Sequence, residues 1–435
     1  MTKRIVLTCW GSHGDLFPYI GLALALKARG HIPVVATLSL YRQNVESEGL
    51  QFAAVGPLVD PYDTNLIARL MDPVRGSEVL VRELLMPRLE RTYEELAAAA
   101  AGADLLVSHP VAYAGPIVAQ RERLPWLSTV LAPMLFFSRH DPPVLPPMPR
   151  VNDLPLIGEW LAARMIPFVR RATRSWAEPV YRLRARLGLP RGADPILEGQ
   201  FSPHGTLGLF SRVLAEPQPD WPPHVTRTGS VFYNESDPLT PELTDFLAAG
   251  EPPVVFTLGT SAVGAAGRFY HESVAAARKL GVRALLLTGG FAQNRPDDLP
   301  PGVLLVDRAP HRLLFPRASA VVHQVGAGTT AQALRAGQPM LLVPHGHDQF
   351  DNARRVRKLG VARTVFPREY RAQRVARELG PLLGDARYRE RAAATAAVVR
   401  REGGADAAAA TVENLLGALP DPRPLANLNH GSEGS

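Results

Sequence analysis

Cysteine is nearly absent from this chain of 435 residues, in which Cys9 is the single one. One thiol cannot form a disulfide within the chain, and it cannot build a zinc site from several thiolates. Long apolar stretches are lacking too. Because no run reaches about 18 apolar residues, the sequence predicts no transmembrane helix, and the apolar run near the N-terminus is too short for a secretory signal. We therefore expect a cytoplasmic protein.

Lysine is also rare. The chain contains only four lysines, so arginine supplies nearly all of the positive charge behind a formal net charge of +7. The arginines are scattered along the sequence, whereas a nucleic-acid-binding protein usually concentrates its basic residues on one face. We therefore expect no nucleic-acid partner. Attraction to anionic phosphates or to lipids, and with it peripheral membrane contact, stays open.

Short apolar runs alternate with helical patterns along most of the chain. The run RIVLTC (residues 4–9) is apolar nearly throughout, as in a strand buried on both faces. It leads through the loop WGSHGD into a helical pattern and then the run PVVATL. The same alternation resumes after residue 242, with runs such as PVVFTL and AVVHQ. Strands that alternate with helices form parallel sheets, so the predicted fold class is α/β, with two doubly wound, Rossmann-like sheets.

Proline density separates these two halves. Residues 215–242 hold many prolines and turn-forming residues, which is typical of a linker. We therefore predict an N-terminal Rossmann-like domain over 1–214, a proline-rich linker over 215–242 and a C-terminal Rossmann-like domain over 243–420. Residues 421–435 are predicted to be a disordered tail or a cloning remnant. Ligands of such sheets bind at the carboxyl ends of the strands, which places a site in the cleft between the domains.

Glycine and hydroxyl residues follow two of the predicted strands in the C-terminal half. In VVHQVGAGTT (321–330) they stand where a strand turns into a helix, and the free N–H groups at a helix N-terminus form a ready anion site. The loop LGTSA (258–262) could donate to the same anion. A phosphate or diphosphate would then meet Gly326, Gly328, Thr329, Thr260 and Ser261. Tight turns and ordinary helix caps explain the same residues.

A further loop, PHGHDQFDNA (344–353), carries polar side chains after a predicted strand. Asp348 and Gln349 offer the acceptors and donors that suit the hydroxyl groups of a sugar, although Asp348 could equally cap the helix that follows. His345 and His347 have no third ligand nearby in the sequence, so we expect no metal site.

The loop after the first strand, GSHGD (11–15), holds two candidate bases. A carboxylate at Asp15 or an imidazole at His13, facing the cleft, could remove a proton from an attacking hydroxyl group, although Asp15 also suits the start of the next helix. In the loop VDRAPH (306–311), the Arg308 guanidinium could stack on a nucleobase, and the backbone at Ala309 could read the edge of that base.

Two long stretches, GSHGDLFPYIGLALALKARGH and VVHQVGAGTTAQALRAGQPMLLVPHGHDQFDNARRVRKLGVA, resemble the family 1 GT-B glycosyltransferases, which depend on nucleotide sugars. The resemblance is strongest to the bacterial branch with sterol glucosyltransferases and rhamnosyltransferases, and it extends over nearly the whole chain. It implies an inverting transfer of a hexose from a UDP- or TDP-sugar to a hydroxyl group of a small acceptor, with no metal and no further cofactor. The lack of a D-x-D triplet fits a metal-free reaction.

The resemblance also implies roles for individual residues. Asp15 takes the position of the catalytic base, which is histidine in many relatives, and His13 is either the base itself or an orienting partner. His323 would meet the diphosphate, with Gln324 as the alternative one residue on. Together with the loops described above, the remaining assignments are Gly326, Gly328, Thr329, Thr260 and Ser261 to the diphosphate, Arg308 and Ala309 to the base, Gln332 to the ribose, and Asp348 and Gln349 to the sugar. Gln332 replaces a frequent glutamate, and Val325 replaces a usual glycine.

The acceptor is the least determined part of this hypothesis. Residues 130–149 (VLAPMLFFSRHDPPVLPPMP) are rich in apolar and aromatic side chains, which favours a lipophilic or aromatic acceptor, although packing in a core explains them equally well. Two other functions compete. A catalytically degenerate relative would bind the nucleotide sugar without turnover, and a Rossmann-type oxidoreductase would need a G-x-G-x-x-G pattern that WGSHGD lacks.

Overall fold

The computed structural model describes residues 1–154, 157–235 and 237–418. The predicted tail at 421–435 therefore lies outside the described residues. Within those ranges, none of the helices is long and apolar enough to span a membrane. Two parallel β-sheets form the architecture, and apolar cores lie on both faces of each sheet. The predicted α/β class with two Rossmann-like sheets is confirmed.

Seven strands form the first sheet: β1 (Arg4–Thr8), β2 (Ile32–Thr37), β3 (Gln51–Ala54), β4 (Leu105–Ser108), β5 (Trp126–Val130), β6 (Thr206–Gly208) and β7 (Val225–Arg227). Their order across the sheet is β3-β2-β1-β4-β5-β6-β7, and all neighbours are parallel. In the central strand β1, Ile5 and Leu7 face one core and Val6 faces the other. Because both faces are covered, the run is apolar.

Six strands form the second sheet: β8 (Val254–Thr257), β9 (Ala284–Leu287), β10 (Val303–Val306), β11 (Ala320–His323), β12 (Met340–Leu342) and β13 (Ala362–Thr364). Their order is β10-β9-β8-β11-β12-β13, again all parallel. The pairing of β8 with β11 sets Thr257 opposite His323. The loops that follow these two strands are therefore neighbours.

Helices connect and flank the strands: α1 (His13–Ala28), α2 (Arg42–Glu46), α3 (Thr64–Leu70), α4 (Gly76–Glu78), α5 (Leu89–Ala100), α6 (Ala114–Arg121), α7 (Gly158–Thr173), α8 (Glu178–Arg186), α9 (Pro241–Ala248), α10 (Gly259–Ala262), α11 (Phe269–Leu280), α12 (His311–Leu314), α13 (Ala327–Ala336), α14 (Gln349–Lys358), α15 (Ala372–Gly384), α16 (Ala386–Val399) and α17 (Gly404–Ala418). α13 ends at Gly337, whose φ of +77° favours glycine.

Two strands were not predicted from the sequence. β3 lies at the edge of the first sheet, is partly exposed and begins with Gln51, so it has no continuous apolar run. β7 lies inside the segment 215–242, the predicted linker, where its Arg227 pairs with Gly208 of β6. This segment therefore contributes a strand to the first sheet, while the domain boundaries themselves stay a prediction.

The helix α17 returns to the first sheet. Its Ala408, Ala409 and Val412 are fully buried in the same core as the apolar residues of α1. Glu413 contacts Arg29 and His31 at the end of α1, with nitrogen–oxygen distances of 3.0 and 3.2 Å. The first core is thus built from both ends of the described chain.

The stretch 130–149 contributes to a small aromatic core. Phe136 is 5% exposed and stacks on Trp221 with 4.2 Å between the ring centroids. Phe210 meets both rings edge-on. Core packing therefore accounts for Phe136.

Replacing Val412 by Ala should test the contribution of α17. The substitution removes two buried methyl groups, so it should lower the free energy of unfolding by about 1.5–3 kcal/mol in urea titrations. The matched change Val74→Ala, at a residue that is 64% exposed, should stay within about 0.5 kcal/mol of the parent. Equal effects of the two substitutions would contradict the packing of α17 on the first sheet.

Candidate active site

The two sheets face each other at the carboxyl ends of their strands, where α1 and α13 begin. A Cβ atom added to Gly328 in α13 would lie 3.0 Å from the Cα atom of Gly14 in α1, so a side chain there would force the two backbones apart. The two helix N-termini therefore meet across the cleft. Among the described side chains none caps the start of α13, so its free N–H groups remain available to an anion.

His323 lies at the end of β11, directly before this helix N-terminus, and is fully buried. Its Nδ1 accepts a hydrogen bond from the Val325 N–H at 3.1 Å, which assigns the proton of the neutral ring to Nε2. Burial lowers the pKa of His323 to about 3. The buried Nε2 has no hydrogen-bond partner in the described part of the chain. An unpaired buried donor is costly, so this N–H favours a ligand with an acceptor.

Gln324 connects the two neighbouring glycine loops. Its Nε2 lies 3.5 Å from the Thr329 hydroxyl, and its buried Oε1 has no partner among the residues described. A Cβ atom on Gly259 would collide with the Gln324 amide, and Gly259 has a φ of +57°, so this position needs glycine. The short helix α10, with Thr260 and Ser261, therefore starts against the side chain of Gln324.

Val325 adopts a backbone conformation that favours glycine. Its φ is +71°, which costs a β-branched residue roughly 1–2 kcal/mol. The Asn352 amide donates to the Val325 carbonyl at 3.1 Å, and the Val325 side chain is fully buried in the core of the second sheet. These contacts hold the left-handed turn in place.

The loop after β12 holds Asp348 and Gln349. Gln349 is 2% exposed, and its Oε1 accepts from the N–H groups of His345 at 2.8 Å and Gly346 at 3.2 Å. Asp348 accepts from the Asn352 amide at 2.7 Å. Its side chain makes no capping hydrogen bond to a described N–H group of α14. Gln349 thus shapes the loop, and Asp348 retains an oxygen for a ligand.

Asp15 stands in the first turn of α1 and takes part in its capping box. Its Oδ2 accepts from the Ser12 N–H at 2.8 Å and from the Ser12 hydroxyl at 3.2 Å. The side chain is 33% exposed. Burial, opposed by the hydrogen bonds from Ser12, raises the pKa of Asp15 to about 6. Asp15 therefore caps the start of α1, as the sequence suggested, and its partly exposed side chain also lies in the cleft.

His13 lies on the side of the cleft that faces Arg308. Its ring contacts Tyr41 and Phe17, with centroid distances of 5.0 and 5.2 Å. Burial, reinforced by the charge of Arg308, lowers the pKa of His13 to about 4, so the imidazole is neutral at neutral pH. Arg308 itself is exposed. Its charge acts on His13, which belongs to the N-terminal half.

His109 was not identified from the sequence. Its Nε2 lies 3.7 Å from Oδ1 of Asp15, and the side chain is 7% exposed. Burial lowers the pKa of His109 to about 3. The sequence shows only that His109 ends the predicted strand DLLVSH (104–109); the structure adds that β4 pairs with β1 and that Ser108 stands opposite Thr8. A residue that follows β4 must then lie beside the loop that follows β1.

The residues predicted to bind the nucleoside lie in the loop after β10 and in α13. Ala309 is half-buried and packs against the core of the second sheet. Gln332 lies one turn into α13, where its Oε1 accepts from Arg335 at 2.9 Å. In the described residues, no group of three or more His, Cys, Asp or Glu side chains is arranged to hold a metal ion.

Asp15 and Asp348 bring two carboxylates into one cleft from opposite domains. Burial raises the pKa of Asp348 to about 7, and the charge of Asp15 adds to this effect. Replacing Asp15 by Asn should therefore lower the pKa of Asp348, although burial should keep it above the ordinary value of about 3.9. Carbon-detected NMR titration of the aspartate carboxyl groups would measure the change.

The exposed Asp298, at 85% side-chain exposure, offers a control. Asp298→Asn removes the same charge far from the cleft and should leave the titration of Asp348 unchanged. If Asp15→Asn also leaves it unchanged, the two carboxylates do not interact.

Comparison with known proteins bears on the family and the fold. Residues 288–416 match the family described as erythromycin biosynthesis protein CIII-like, C-terminal domain. The chain is 35% identical over 380 residues to the O-mycaminosyltylonolide 6-deoxyallosyltransferase of Streptomyces fradiae, covering 84% of this chain and 86% of that enzyme. It is 29% identical to the sterol 3-beta-glucosyltransferase of Neurospora crassa, covering 93% of this chain but 27% of that longer protein.

Solved structures share the fold. The glycotransferase of kitacinnamycin has a TM-score of 0.73 at 20% identity, over 96% of this chain and 100% of that one. The glycosyltransferase VinC in complex with dTDP has a TM-score of 0.67 at 21% identity, over 95% and 99% of the two chains. Together with the Streptomyces fradiae match, which spans most of both sequences, these findings confirm the resemblance: the chain belongs to the family 1 GT-B glycosyltransferases, which use nucleotide sugars.

Proposed function

We propose that the chain is an inverting hexosyltransferase that moves a hexose from a TDP- or UDP-sugar to a hydroxyl group of a small lipophilic or aromatic acceptor, with Asp15 as the base. The observation that carries this proposal is the contact between Gly14 and Gly328. Asp15 follows Gly14 in the first turn of α1, the turn that meets the uncapped N-terminus of α13. A base and an anion site then face each other across one cleft.

The proton transfer follows from the contacts of Asp15. Its Oδ2 already accepts two hydrogen bonds from Ser12, so Oδ1 is the oxygen that takes the proton. As the acceptor hydroxyl attacks the anomeric carbon, the bond to the diphosphate breaks and the hydroxyl proton passes to Oδ1. With a pKa of about 6, Asp15 is ionised at neutral pH and is a stronger base than an ordinary aspartate. His109 borders Oδ1 and limits its orientation.

The leaving diphosphate would be held by α13 and the loops beside it. A helix N-terminus carries roughly half a positive charge, and the unpaired Nε2 of His323 adds a donor. Gln324, Gly326, Gly328 and Thr329, with Thr260 and Ser261 of the adjacent loop, complete the proposed diphosphate site. Arg308, Ala309 and Gln332 would hold the nucleoside, and Asp348 would hold the sugar together with the Nε2 of Gln349, whose Oε1 is taken up by the loop. No metal is assigned a role in this reaction.

The names of related proteins support the proposed donor and the proposed acceptor. VinC and the spinosyn rhamnosyltransferase SpnG are described in complex with thymidine diphosphate, which supports a TDP-sugar as donor. Relatives are named for O-mycaminosyltylonolide and for sterols, and a sterol is lipophilic. Location in the cytoplasm stays a prediction from the sequence.

A nucleoside diphosphate should stabilise the protein. At 100 times its dissociation constant, dTDP or UDP should add about 2.7 kcal/mol to the free energy of unfolding, which scanning fluorimetry would record as a higher Tm. Thymidine, which lacks the diphosphate, should shift the Tm much less. Because a helix N-terminus is proposed to hold the diphosphate, EDTA should change neither the shift nor the turnover. A strict requirement for Mg²⁺ or Mn²⁺ would contradict the metal-free reaction.

Asp15→Asn should lower kcat at least about 10²-fold with an aliphatic alcohol acceptor, because the attacking hydroxyl then loses its base. The affinity for the donor should barely change. In the parent enzyme, kcat/KM should fall about tenfold per pH unit below about pH 6, where Asp15 is protonated, and this limb should be missing in Asp15→Asn. Product masses from a panel of nucleotide sugars and acceptors would provide the assay.

His13→Ala is the matched control for the base. If this variant is inactive while Asp15→Asn keeps nearly full activity, His13 is the base and the assignment is wrong. If dTDP binds but no donor in the panel yields a product or is hydrolysed, the chain is a degenerate nucleotide-sugar-binding relative.

A further inference from the structure

A cavity on the flank of α13 borders the nucleoside side of the proposed donor site, with which it shares Gln332. Its volume is about 320 Å³, and its walls include Asn234, Gln332, Arg312, Arg335 and Arg400. We call it the arginine pocket. The three arginines come from α12, from α13 and from the residue that follows α16. Folding brings these three side chains, which lie at separate positions in the sequence, to the same cavity.

Neutral oxygens hold the three guanidinium groups in place. Arg400 donates to the carbonyl groups of Arg335 at 2.8 Å and Ala336 at 3.2 Å. Arg312 donates to the carbonyl of Glu235 at 3.0 Å. Arg335 donates to Gln332 at 2.9 Å. These bonds fix the positions of the charges but do not neutralise them.

Within the described residues, the three charges are compensated only in part. Arg312, Arg335 and Arg400 form no ion pair there, although the charge of Arg312 reaches the Glu235 carboxyl. The negative end of α13 offsets only about half a unit charge. Burial, reinforced by the charges of Arg312 and Arg400, lowers the pKa of Arg335. In addition, the buried Nε of Arg312 has no hydrogen-bond partner among the residues described.

We propose that the arginine pocket binds a phosphate group, as a site distinct from the diphosphate site at the N-terminus of α13. Guanidinium groups present paired N–H donors that match the oxygens of a phosphate, and charge-assisted bonds of this kind are strong. Arg335 lies seven residues beyond Gly328 on α13, which is roughly 10 Å along the helix. A diphosphate seated at Gly328 therefore lies apart from the arginines, and the part of the donor that comes nearest to the pocket is the nucleoside proposed at Gln332.

The test measures binding of inorganic phosphate by calorimetry at constant ionic strength, with and without saturating dTDP. The parent protein should bind phosphate in the presence of dTDP. Arg312→Gln and Arg400→Gln should each weaken this binding at least about tenfold, because each removes a charge-assisted contact. Arg268→Gln, at an arginine with 76% side-chain exposure elsewhere in the C-terminal half, should leave it unchanged.

Two single variants guard against a folding defect. Arg400 binds the last carbonyl groups of α13, whereas Arg312 does not, so loss in both variants with an unchanged Tm assigns the effect to the pocket. Thymidine 3′-monophosphate serves as a second probe. If it binds more tightly than inorganic phosphate and its binding depends on the same arginines, the natural ligand is a larger molecule that carries a phosphate group. If it does not, the natural ligand is the free phosphate ion.

Two results would overturn the proposal. One is phosphate binding that is equal in the parent, Arg312→Gln and Arg400→Gln; the other is complete displacement of phosphate by dTDP. If dTDP itself fails to bind, the proposed glycosyl transfer is in doubt, but the phosphate titration without dTDP still tests the arginine pocket.

Discussion

The close contact between Gly14 and Gly328 is the constraint on which the rest of the site depends. It brings the N-termini of α1 and α13 together, and each of these ends carries roughly half a positive charge. Two positive ends that face each other repel, so the arrangement is stabilised by negative charge between them. A bound anion would supply that charge. A Cβ atom at residue 328 would lie 3.0 Å from the Cα atom of Gly14, so the two helix ends would have to shift apart to accommodate it.

The cleft has two electrostatic halves. Around the N-terminus of α13, the free N–H groups and the unpaired Nε2 of His323 are donors, which favours an anion. Around Asp15 and Asp348 the carboxylates are acceptors, and their raised pKa values, caused first by burial, mean that negative charge is already costly there. A ligand with an anion at one end and hydroxyl groups at the other satisfies both halves. A nucleotide sugar has this polarity, and the reverse orientation would set a phosphate against two carboxylates.

The burial of a strand determines whether the sequence alone could predict it. The central strands β1, β8 and β11 are covered on both faces, so each is a continuous apolar run, and the shared edge of parallel strands explains why Asp15, His323 and Asp348 could be placed in one cleft. β3 is partly exposed, and β7 has three residues among prolines, so neither shows such a run. His109 was missed because, in the sequence, it cannot be told from a histidine that merely packs in a core.

Contacts between the domains are the part that no local pattern reveals. Arg355 of α14 donates to Asp351 on its own helix at 2.5 Å and to Asp141, which is 214 residues away in the sequence. Asp351 is fully buried and accepts from the Val144 N–H at 3.1 Å. Removing one partner of such a buried cluster leaves an uncompensated charge and costs roughly 3–5 kcal/mol. Because α14 begins directly after Asp348, the same helix fixes that carboxylate in the cleft and fastens the second sheet to the N-terminal half, so the geometry of the site and the closure of the cleft cannot vary independently.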